Sequence, residues 1–117
     1  MSEIWILIAH GSRREESAVD HARLCQAVAA EAGRDVRPAY LELASPDIPA
    51  AVDQAIADGA TTVRLLPYFL HPGNHVRSDL PRIAEECRAA HPATTIELRT
   101  HVGADPRLVS LLASLTT

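Results

Sequence analysis

Leu65-Leu66-Pro67-Tyr68-Phe69-Leu70-His71-Pro72-Gly73-Asn74-His75-Val76-Arg77-Ser78-Asp79-Leu80-Pro81 starts as strand and ends as helix. The apolar run Thr62 to Tyr68 predicts a strand buried on both faces. Pro72-Gly73 breaks it, because neither residue continues a strand or opens a helix well. Helix is expected again near Asp79-Leu80-Pro81, with Asp79 as N-cap and Pro81 in the first turn. His71 and His75 sit in the break. Ile8-Ala9-His10-Gly11-Ser12 repeats this layout at the end of another apolar run, Ile4 to Ala9.

Nearer the N-terminus, apolar residues recur at helical spacing from about Ser17 to Ala32, and Gly33 stops that helix. Val36 to Leu43 reads as the second strand, with Glu42 near its carboxyl end. Ser45-Pro46-Asp47 predicts a helix start: a serine N-cap, a proline at the first position and an acid in the first turn. Its apolar face is Ile48, Ala51, Val52, Ala55 and Ile56, and Gly59 closes it. A helix from about Leu80 to Ala90 points Ile83, Ala84 and Cys87 inward and ends before Pro92. Thr94 to Arg99 is a fourth strand of mixed polarity, expected at a sheet edge. His101-Val102-Gly103 is a loop. Asp105-Pro106 starts a last helix, whose Leu108, Val109, Leu111, Leu112 and Leu115 are expected to close the domain. His21 and His91, on helices, read as surface.

Four strands alternating with four helices predict an α/β fold: one three-layer αβα domain over residues 1–117, with a parallel sheet of order 2-1-3-4. In that order the first and third strands are neighbours and the winding reverses between them. Ligands bind outside the carboxyl ends of such strands at this switch point. His10 and His75 therefore converge, with Glu42 and His101 on the same rim.

With 117 residues, 47% of them hydrophobic, the chain suffices for one core, although only 3% aromatic residues makes that core aliphatic. Lys and Arg number 11 against 15 Asp and Glu, a formal charge of −4, so nucleic acid is not an expected partner. No run of about 18 apolar residues suggests a membrane span, and Met-Ser-Glu-Ile-Trp lacks the basic and apolar parts of a signal peptide. Cys25 and Cys87 fall in helical patterns without a CxxC pairing, which suits buried thiols, although an interhelical disulfide is also compatible. These features lead to the expectation of a cytoplasmic protein.

Neutral imidazoles from two strand ends suit a first-row divalent metal such as cobalt, nickel, iron or zinc. Two histidines and a carboxylate leave coordination positions open for exchange. An imidazole with a pKa near about 6.5 also accepts protons at neutral pH. Metal insertion into a tetrapyrrole needs both properties, since two pyrrole N–H protons leave as the metal enters. Arg13, Arg14, Arg77 and Arg82 suit the carboxylates of an acidic ligand. Taken singly, His10 also fits a plain loop or an anion-binding turn. Glu42 fits an exposed strand-end acid, and His71 and His101 fit solvent-facing residues.

His10-Gly11-Ser12-Arg13, Tyr40-Leu41-Glu42-Leu43-Ala44-Ser45-Pro46, Pro67 to Pro81 and Gly103-Ala104-Asp105-Pro106-Arg107-Leu108 together resemble the CbiX/SirB group of sirohydrochlorin chelatases. The resemblance covers nearly the whole chain. It implies an ATP-independent class II chelatase, a lyase that inserts Co²⁺, Ni²⁺ or Fe²⁺ into sirohydrochlorin or a related acidic tetrapyrrole. The metal is then a substrate, and no organic cofactor is implied. Carried over, His10 is metal ligand and proton acceptor, His75 is the second ligand, and Glu42 assists delivery or deprotonation. Ser12, Arg13, Ser45, Leu70, His71, Pro72, Gly73, Asn74 and Arg77 would meet the substrate. Ser45 departs from the family, which often carries an acid before that proline. The chain corresponds to one half of a two-domain class II chelatase, which implies a homodimer.

The competing readings are a non-catalytic metal carrier or tetrapyrrole-binding module on the same fold, and a phosphate-handling enzyme using His10 as nucleophile. The second lacks an obvious anion cradle around the single Gly11.

Overall fold

Alternation sets the first strand. In β1 (Glu3–Ala9), Ile4, Ile6 and Ile8 are 0–2% exposed on one face, while Trp5 and Leu7 occupy the other. A computed structural model of the chain describes residues 2–117. The remaining elements are α1 (Glu15–Ala32), β2 (Asp35–Tyr40), α2 (Ile48–Ala57), β3 (Thr62–Pro67), α3 (Asn74–Ala90), β4 (Thr95–Leu98), a 3₁₀ turn (Val102–Ala104) and α4 (Arg107–Ser114).

The sheet has the expected order, β2-β1-β3-β4, and every pairing is parallel. Parallel neighbours need crossovers, which the helices supply. Ile4, Ile6 and Ile8 pack with Val63, Leu65 and Ile96 of the sheet against Val52 and Ala55 of α2 and Ala84 and Cys87 of α3. Each such isoleucine contributes about 2 kcal/mol through apolar burial. On the opposite face α1 buries His21 and Cys25. Both cysteines are buried free thiols, and burial pushes the Cys25 thiol up to about 11. β4 lies at the sheet edge as expected.

Several boundaries differ from the sequence reading. The second and third strands end at Tyr40 and Pro67, and the first helix begins at Glu15. The second helix starts at Ile48, not at Ser45-Pro46. Its cap is Asp47, whose carboxylate accepts from the Ala50 N–H at 2.9 Å, with Pro49 in the first turn. Pro46 instead offers its carbonyl to the Tyr40 N–H at 2.9 Å, tying the loop to the strand end. The third helix starts at Asn74, directly after Gly73, and runs through Pro81. A proline inside a helix removes one donor but does not forbid the helix. Asp79 is therefore an interior helical residue rather than a cap.

The last helix does not close the core. Val109, Leu111, Leu112 and Leu115 are 72%, 52%, 53% and 70% exposed. Helical periodicity shows that such residues share a face but not what covers it. His21 is likewise not a surface residue: it is 6% exposed, and its Nε2 donates to the Leu7 carbonyl at 2.8 Å. Its ring stacks on Tyr68 at 5.9 Å and meets Tyr40 edge-on at 5.4 Å. His91 is a partly buried helix-end residue whose Nε2 lies 2.6 Å from Asp53 Oδ1.

Candidate functional site

The carboxyl end of β1 is fixed by its neighbour rather than by its own turn. Past Tyr40 the chain stays alongside β1, with the Leu41 N–H donating to Ala9 O at 2.9 Å and the Glu42 N–H to His10 O at 3.0 Å. Gly11 turns away with φ +105°, and a Cβ there would fall 1.6 Å from the Glu42 carbonyl oxygen. Only glycine combines that backbone with that approach. The clamp brings His10 Nε2 to 3.6 Å from Glu42 Oε1, with both side chains about half exposed, at 51% and 57%. At that separation the two groups are close neighbours rather than a formed hydrogen bond. Ser12 follows, its Oγ accepting from the Arg14 N–H at 3.1 Å.

The end of β3 lies beside β1. The Tyr68 N–H donates to Ile8 O at 2.7 Å, and the Phe69 ring stands edge-on to His10 with centroids 6.3 Å apart. The loop after β4 holds this segment down. The Gly103 N–H donates to Phe69 O at 2.9 Å, and a Cβ on Gly103 would meet Leu70 O at 1.8 Å. Neither Phe69 nor Gly103 was singled out from sequence as a site residue. A glycine after a strand at the carboxyl rim was the available signal for Gly103, whereas the edge-on contact of Phe69 with His10 carries no sequence signature.

His75 occupies the first turn of α3, where its side chain is 86% exposed. Its Nε2 lies 2.9 Å from Asp79 Oδ2, one helical turn on, and Asp79 also faces Arg82 at 3.5 Å. A carboxylate on one ring nitrogen fixes the tautomer and leaves Nδ1 as the free ligand. The structure thus forms two histidine–carboxylate pairs, His10–Glu42 and His75–Asp79. Among the described residues it forms no group of three His, Cys, Asp or Glu side chains suited to hold an ion.

The remaining candidates spread along the rim. Leu70, His71, Gly73 and Asn74 are exposed in the loop between β3 and α3, with Pro72 half-buried. Arg77 bends back on that loop, donating from Nε to Pro72 O at 2.9 Å. Arg13 and Ser45 are exposed at the ends of β1 and β2. His101 is half-buried before the 3₁₀ turn. It lines a cavity of about 970 Å³ that opens between β4 and α4, with Trp5, Arg99 and Leu111 among the other lining residues and His10 and His75 absent from them. No helix among the described residues is long and apolar enough to cross a membrane.

The family model described as CbiX matches residues 5–117. The chain belongs to the CbiX family. Among CbiX relatives, a chloroplastic sirohydrochlorin ferrochelatase from Arabidopsis thaliana is 35% identical over 82 residues, which are 69% of this chain and 36% of that protein. A sirohydrochlorin cobaltochelatase from Methanococcus aeolicus is 32% identical over 82 residues, 69% of this chain and 57% of that one. The chain therefore spans between about a third and somewhat over half the length of these curated relatives. A crystal structure of a CbiX protein from Marinobacter aquaeolei VT8 superposes with a TM-score of 0.84 and 31% identity, covering 97% of this chain and 92% of that one.

Proposed function

We propose that this CbiX chain is an ATP-independent chelatase that inserts a divalent metal, Co²⁺ first and Ni²⁺ or Fe²⁺ as alternatives, into sirohydrochlorin. The observation that carries the reading is the half-exposed His10–Glu42 pair, 3.6 Å apart, at the end of β1 in a chain of this family. The names of the two relatives, one an iron and one a cobalt chelatase, support the reaction class and leave the metal open.

In this account one ion is shared by His10 and His75, each imidazole supplying one nitrogen and the tetrapyrrole replacing solvent at the remaining positions. As the ion passes to the pyrrole nitrogens its bond to His10 breaks, and the freed imidazole nitrogen accepts a pyrrole proton. Glu42 takes it onward to water, so that the second pyrrole proton can follow the same route. Two protons leave the macrocycle for one M²⁺ entering, so charge and atoms balance without a redox partner. Asp79 holds the His75 ring. Ser12, Arg13, Ser45 and the loop Leu70 to Asn74 border the macrocycle, with Arg77 setting the loop through Pro72.

The rim is open, so one domain cannot enclose a tetrapyrrole. The chain acts as one half of a two-domain chelatase, and two copies face each other across the substrate as a homodimer. Two buried free thiols suit a reducing cytoplasm.

Mixing protein, Co²⁺ and sirohydrochlorin and following the absorbance spectrum tests the reading. Turnover beyond one equivalent per site, lost in His10→Ala, is the expected result. Stoichiometric binding without insertion would identify a carrier instead.

A further inference from the structure

Among the described residues, Leu43 alone of the non-glycine residues has a positive φ, +66°. A Cβ-bearing residue is disfavoured there, and leucine has no short polar group to compensate with a local hydrogen bond. Nor does burial within the chain account for it, since Leu43 is 51% exposed. The conformation is imposed from both sides: the Glu42 N–H is tied to His10 O, and Pro46 O to the Tyr40 N–H. A strained, solvent-facing leucine next to the Glu42 of the His10 pair calls for a ligand-side explanation.

The same rim carries Tyr68 and Leu70, 45% and 53% exposed, at the end of β3. β1 lies between β2 and β3, so these apolar residues flank His10 from strand ends about 10 Å apart. Exposed apolar residues gathered round a polar centre mark a binding surface. Arg13 is exposed after β1, and Arg77, whose Nε donates to Pro72 O, lies in the first turns of α3, so guanidinium groups are near this rim.

We infer that Leu43 is a substrate-contacting residue: its side chain supplies apolar contact to the face of a flat macrocycle, opposite Tyr68 and Leu70. The ligand class is a planar, apolar-faced ring system with an anionic periphery, which deepens and rests on the tetrapyrrole reading above. A leucine stands where glycine would be more relaxed because its side chain binds substrate. Stability and affinity are therefore set against each other at this position.

The test uses the whole chain with Leu43→Gly and Leu43→Asn, both tolerant of positive φ. Metal-free sirohydrochlorin is titrated by absorbance, and Co²⁺ affinity, thermal unfolding and sedimentation are measured alongside. Both variants are expected to bind sirohydrochlorin about tenfold more weakly, the loss of one buried side chain's apolar contact. Co²⁺ affinity should stay as in wild type, and Tm should not fall. Wild-type affinity in both variants overturns the inference alone. So does a changed oligomeric state at unchanged affinity, which would make Leu43 an interface residue, or a Tm lowered in both, which would show that it packs internally. Failure of the unmodified protein to bind sirohydrochlorin overturns this inference and the tetrapyrrole reading together.

Discussion

The carbonyl oxygen of Glu42 occupies the space that a side chain on residue 11 would need: a Cβ at Gly11 would lie 1.6 Å from it. This close approach sets the spacing of His10 and Glu42, so the geometry of the site depends on an absent side chain. Gly11→Ala should force the two loops apart while also straining φ +105°. The expected loss is about 3 kcal/mol in urea unfolding, together with loss of metal insertion. A variant with wild-type stability and activity would mean that the two loops are not clamped.

Glu42→Gln separates stability from chemistry. Both partners of the His10–Glu42 pair are about half exposed, so the pair contributes less than about 1 kcal/mol to folding. As an onward proton acceptor the carboxylate should matter far more. The variant should unfold at the wild-type temperature yet insert Co²⁺ about 100-fold more slowly, measured under saturating metal.

The His75–Asp79 contact predicts an effect on metal affinity rather than on the fold. Asp79→Asn keeps the shape but weakens the hold on the His75 ring, whose Nε2 lies 2.9 Å from the carboxylate. Co²⁺ affinity by calorimetry should fall about tenfold, the lower end of what outer-shell partners contribute. Unchanged affinity would remove Asp79 from the account.

His21 distinguishes the structure from the sequence reading. As a surface residue it would be replaced at no cost. As a buried residue bonded to Leu7 O and packed between Tyr40 and Tyr68, it should cost about 2–3 kcal/mol in His21→Ala.

Asp105 sets an acid limit on the last helix. Hydrogen bonds from the Arg107 side chain, and then from its backbone N–H, lower its carboxyl to about 2. A depressed acid contributes stability above its unfolded value of about 4, and loses it as pH falls through about 2. Carboxyl NMR should place its titration near pH 2, with fraying of α4 over the same interval. A midpoint near 4 would mean that the Asp105–Arg107 hydrogen bonds are not formed.

The fold was largely legible because each β-strand carried its own signal. The continuous run Ile4 to Ala9 marked a central parallel strand, and the mixed polarity of Thr94 to Arg99 marked an edge. The switch-point rule put His10 and His75 on neighbouring strand ends with Glu42 and His101 on the same rim, but the pairing of His10 with Glu42 and of His75 with Asp79 was not legible from it. What failed were cues that mean different things in different surroundings. Pro81 has the chemistry of a helix start yet lies inside α3, because Gly73 had already started the helix. Ser45-Pro46 resembled a cap, but it is the Asp47 carboxylate that accepts from the Ala50 N–H of α2. The burial of His21 and the exposure of Leu111 and Leu112 depend on which element lies opposite, which periodicity does not encode.

A crystal of the protein soaked in Co²⁺ and measured at the cobalt edge tests the shared ion most directly. One anomalous peak is expected, with a His10 nitrogen and a His75 nitrogen both about 2.1 Å away. Separate peaks on the two residues, or a peak touching only one imidazole, would contradict the shared ion.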